Sequence, residues 1–66
     1  MPKVTELKPV KYKGTNIRIW KKEGGDYTDY EWYWKKRGDQ PLEGLVENST
    51  KELALMYAKE KIDEYY

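Results

Sequence analysis

The sequence predicts an α+β fold, an antiparallel meander of three or four strands with one C-terminal helix packed on one face. Three observations carry this expectation. Two glycine-bearing turns assign the same alternating residues to one sheet face. The run Tyr27–Arg37, YTDYEWYWKKR, holds five of the ten aromatic rings at strand-like alternation. A capping pattern at Ser49 opens a helical stripe of small and apolar residues.

Residues 1–9 contain Pro2 and Pro9 with no clean period, so they are expected as an extended arm before a single domain over 10–66. In VKYKGTNIRIW, Gly14-Thr15 fits a two-residue turn with Gly first. That register sets Tyr12 opposite Ile17 and Val10 opposite Ile19, with Lys11 facing Arg18 on the reverse side beside Lys13, Trp20 and Lys22. Gly24-Gly25 offers a second turn, which sets Ile19 against Tyr30, Ile17 against Trp32, and Arg18 against Glu31. Gly38-Asp39-Gln40-Pro41 is a third turn, and LEGLV returns as a short strand. Two registers remain open for it, one laying Gly44 beneath Trp34 and the other pairing Leu45 with Trp34. Ser49-x-x-Glu52 reads as a capping box with Ser49 as N-cap, and Ala54, Leu55, Ala58, Ile62 and Tyr65 form one stripe at 100° per residue.

A chain of 66 residues buries only roughly 60% of the surface its unfolded form exposes. With no cysteine there is neither a disulfide nor a thiolate metal site to reinforce it, so three Trp and seven Tyr must supply the core. Without His or Cys, the commonest general base and the best nucleophile are missing, and the single Ser is used as a cap. Asp26, Asp29 and Glu31 read as surface charge, because a hard-cation site needs about six oxygens or more. The expectation is no enzyme, no metal, no cofactor and no small-molecule substrate. No apolar run approaches the roughly 18 residues of a membrane span, and MPKVTELKP lacks the apolar core of a signal peptide, so a monomeric cytoplasmic protein is expected. The abundant Lys and Glu, with no thermolabile Cys, are compatible with a thermophilic source.

Net charge is +1, but its distribution is uneven. Residues 1–37 hold ten Lys/Arg against five Asp/Glu, and residues 38–66 hold three against seven. This predicts a basic side and an acidic side. On the registers above, the sheet face away from the helix displays Lys11, Lys13, Arg18, Trp20, Lys22, Tyr33 and Lys35. Cations interleaved with rings suit nucleic acid: the charges displace counterions from phosphates, and the rings stack on bases or wedge at a groove. Duplex DNA is the first expectation. A protein partner, held by a small viral or phage-type interaction module, is the alternative.

The segments IRIWKKEGG, YEWYW, a Gly-bearing third strand and STKELALMYAKEKI occur in an order that resembles the β-β-β-α domains at the N-terminus of phage and transposon integrases, and the AP2 domains of plant transcription factors. The likeness spans residues 17–62 and rests on core and turn positions. It implies a sheet lying in the DNA major groove with the helix behind it, and Arg18, Trp20, Lys22, Tyr33 and Lys35 facing the groove. The chain departs from that pattern in its lower net charge and its additional VKYKG hairpin.

Overall fold

Glycine placement and alternation decide most of the architecture. The computed structural model describes residues 3–66; Met1 and Pro2, the start of the expected arm, lie outside the described residues. Its elements are β1 (Lys3–Glu6), β2 (Val10–Tyr12), β3 (Thr15–Gly24), β4 (Tyr27–Trp34), β5 (Leu42–Val46) and α1 (Lys51–Tyr65). The fold is α+β, an open antiparallel sheet with one C-terminal helix on one face. The four-stranded meander is β2–β5, and β1 brings the sheet to five strands.

Both hairpins turn at positions one residue from those expected. At the first, Lys13 and Gly14 both take positive φ (49° and 82°), so the turn is Lys13-Gly14 and Tyr12 faces Thr15. At the second, Gly25 takes φ 63° and Gly24 still pairs with Tyr27, so the turn is Gly25-Asp26. Each one-residue shift of a turn moves the cross-strand register by two. Val10 therefore faces Ile17, Lys11 faces Asn16 rather than Arg18, Ile19 faces Trp32, and Trp20 rather than Arg18 faces Glu31. A shift of two leaves every side chain on its assigned face, because strand side chains alternate with period two.

The third register is neither of the two expected: Gly44 lies opposite Trp32, and Leu42 opposite Trp34. Gly44 is there for space. A Cβ at that position would stand 2.8 Å from the Trp32 Nε1, so only a glycine lets the indole lie across β5.

The arm segment adds to the sheet. β1 pairs with the second half of β3 (Glu6 opposite Trp20), and β2 pairs with the first half (Val10 opposite Ile17). Four residues thus advance on one side for three on the other, and Lys8 and Pro9 bulge against Arg18. Leu7, next to Glu6, faces inward by alternation and its N–H bonds the Ile19 carbonyl at 2.8 Å; the step then shifts the phase, so that Val10, opposite Ile17, lies on the same inward face.

The helix packs over β4 and β5 through Ala54, Ala58 and Ile62, all fully buried. Two alanines one turn apart bring its backbone close to Ile17, Ile19, Tyr30, Trp32 and Trp34. Leu55 is half-buried against both core clusters, but Tyr65 is exposed rather than in the stripe. The cap is Thr50, not Ser49. Thr50 has extended backbone (φ −120°, ψ 164°), and its Oγ1 accepts from the Leu53 N–H at 3.3 Å. Ser49 is instead tied to the sheet, its N–H donating to the Thr28 carbonyl at 2.9 Å.

Trp34 closes the other end of the core. It is fully buried, its Nε1–H is shared between the carbonyls of Tyr12 (3.1 Å) and Thr15 (3.2 Å), and its ring meets Tyr66 at 5.2 Å. One side chain therefore joins β4, the first hairpin and the end of the helix.

Candidate functional site

The sheet face away from the helix is open to solvent, and the registers arrange it in rows. Lys11 and Asn16 form the row nearest the first hairpin, with Lys35, the residue after β4, lining the same surface beside Asn16; Arg18, Tyr33 and Glu43 form the next. Glu6, Trp20, Glu31 and Leu45 follow, then Val4, Lys22 and Asp29. Cations and acids on these rows balance, Glu6 and Glu43 joining the Glu31 and Asp29 that strand alternation places beside the cations. The charge is polarised along the strands, cationic at the Lys11–Lys35 end, where Lys36 and Arg37 follow β4 in the chain, and anionic toward the far end.

Arg18 sits where the two regimes meet. Its Nε and Nη2 donate to the Glu6 Oε2 at 3.1 and 3.0 Å, and the guanidinium lies 4.8 Å from the centre of the Trp20 ring. The ion pair depends on β1, which sets Glu6 directly opposite Trp20, whereas Arg18 and Trp20 are neighbours on one face of β3 itself. Lys22 pairs with Glu31 at 3.2 Å. These pairs are exposed, so each contributes little to stability and holds its cation only loosely. Among the described residues Lys11 and Lys35 form no ion pair. Asp29 accepts from the Asn48 N–H at 2.8 Å and serves the loop before the helix.

Lys13 does not belong to this face. It occupies the hairpin turn and reaches over the edge to Asp63 of α1 at 2.8 Å. Asp63 also accepts from the Tyr12 hydroxyl at 2.8 Å. The Lys13 ammonium, and then the Tyr12 hydroxyl, hold the Asp63 carboxyl below its ordinary range. Six of the seven expected residues (Lys11, Arg18, Trp20, Lys22, Tyr33 and Lys35) share the open face, with Lys22 in its anionic half.

Between the bulge and β4 lies a shallow depression of about 480 Å³, lined by Glu6, Pro9, Thr15, Asn16, Arg18, Tyr33 and Lys35. Glu6, Pro9 and Asn16 had no functional signal in the sequence; only the pairing of β1 and β2 with β3 brings them beside Arg18. Asn16 adds an uncharged donor and acceptor between Lys11 and Lys35. Among the described residues no three acidic side chains are grouped closely enough to hold a metal ion, and no helix is long and apolar enough to cross a membrane. Comparison with family models, curated proteins and solved structures found no match to the chain.

Proposed function

We propose that this chain is a small nucleic-acid-binding module that takes duplex DNA on the basic end of its open sheet face. The observation that carries the reading is the stack of Arg18 on Trp20, with Tyr33 beside it and the unpaired Lys11 and Lys35 ahead of it. Lys11 and Lys35 suit phosphates as point charges, and Arg18 can exchange Glu6 for a phosphate or a base edge. Trp20 and Tyr33 offer half-buried rings for sugar or base contact. The helix lies behind the sheet and leaves this face clear, and β3–β5 followed by α1 keep the element order on which the integrase and AP2 likeness rests.

A protein-interaction role is the second reading. It is favoured by the anionic half of the same face, where Val4, Tyr27 and Leu45 are each more than half exposed. Anisotropy titrations of a labelled duplex at two salt concentrations separate the two. A DNA module with about three phosphate contacts loses affinity with a log–log salt slope near −3. Absence of binding at low salt would exclude the DNA reading.

A further inference from the structure

We propose that β5 is a pairing edge and that its partner is a second copy of this chain, joined antiparallel about Gly44 into one continuous sheet. The two edges of the sheet differ. The β1–β2 edge carries the defences that keep edges apart: a bulge, Pro9, and the charges of Lys3, Glu6 and Lys8. The β5 edge, Leu-Glu-Gly-Leu-Val, has no bulge, no proline within it and no lysine.

The direction of its free backbone groups follows from one bond. The Leu7 N–H donates to the Ile19 carbonyl, so the Ile19 groups point to β1. Alternation then turns those of Arg18 and Trp20 toward β4, those of Trp32 toward Gly44, and those of Glu43 and Leu45 outward. Three antiparallel self-pairings use these outward groups. Centring on Glu43 sets it against its own copy, and centring on Leu45 sets Glu43 against Glu47. Centring on Gly44 sets Glu43 against Leu45 in both directions, makes four backbone hydrogen bonds, and opposes no two acids.

The helix supports the same partner. It lies over β4 and β5, so across such a dyad the two helices stand two strand spacings apart, about 10 Å, which is helix-packing distance. The flank that would meet its copy carries Leu53 and Tyr57, 41% and 49% exposed in the single chain. Tyr57 and Lys61 already line the groove above Gly44 and Trp32. Pairing would cover that groove and replace the monomer expected from sequence, where nothing shows which strand lies at an edge.

Sedimentation velocity across a concentration series should show the 8.0 kDa chain giving way to a species of twice that mass. Amide exchange should become slower at Glu43 and Leu45 as concentration rises, while the Gly44 amide, bonded to β4, stays protected throughout. Leu45→Pro removes only an outward donor and should weaken the dimer about 100-fold with the circular dichroism unchanged. The exchange result on the parent chain stands even if that variant fails to fold. A monomer at every concentration, or a dimer whose Glu43 and Leu45 amides stay unprotected, overturns the proposal; the first outcome would leave the edge to an extended segment of another protein.

Discussion

Trp34→Ala should unfold the domain. The substitution truncates the largest fully buried side chain, removes the donor shared by the Tyr12 and Thr15 carbonyls, and takes away the ring against which Tyr66 packs. Truncating a buried Trp costs about 3–5 kcal/mol, and a core this small supplies about that margin in total. Circular dichroism at 25 °C should show the strand and helix signals lost together. Trp34→Phe keeps most of the volume but not the N–H, so it should fold with a lowered melting temperature. Tyr33→Ala, one residue away on the open face, should melt close to the parent. If Trp34→Ala melted like Tyr33→Ala, the assignment of faces would be wrong.

Arg18→Ala and Trp20→Ala should each weaken duplex binding at least about tenfold, as loss of a stacked or bidentate contact does. Lys59→Ala should not, because Lys59 lies on the helix behind the sheet, over the Tyr12 ring at 5.4 Å. Glu6→Gln should act in the opposite sense. It releases Arg18 from its carboxylate and removes one anion from the depression, so affinity should rise and the salt slope should steepen. None of these changes touches a fully buried side chain, so melting temperatures should move little. Equal losses in Arg18→Ala and Lys59→Ala would mean diffuse electrostatics rather than a site.

The faces of the sheet were legible in the sequence, and the registers were not. Ile17, Ile19, Tyr30, Trp32 and Trp34 fall inside by alternation alone, and an error of two residues cannot disturb that. The turns escaped because each glycine can serve at either of two adjacent positions. Lys13 adopts a left-handed conformation that a side chain rarely takes, and nothing in VKYKGT announces it. Strand β1 was hidden for a different reason. Val4 and Leu7 point to opposite faces, as three residues apart on a strand must, and the bulge at Lys8 and Pro9 shifts the phase before Val10.

The candidate site inherits both errors. Its rings and most of its cations were identifiable from alternation, because face membership survives a shift of two. The pairing of Arg18 with Glu6 was not, since it requires β1. Lys13 was misplaced because a turn residue has no strand face, and its short reach to Asp63 depends on where the helix ends. The polarity of the face is likewise a product of register, which sets Glu31 level with Trp20 and Glu6 and leaves Lys35 beside Asn16 and Arg18.

The most direct measurement is a map of backbone amide shifts in the labelled parent chain on adding a short duplex at low salt. Binding at the basic end predicts perturbations at Lys11, Asn16, Arg18, Tyr33 and Lys35 that saturate together, with α1 unmoved. Saturable shifts centred on the helix, or on Val4, Tyr27 and Leu45 with the basic end silent, would contradict the account.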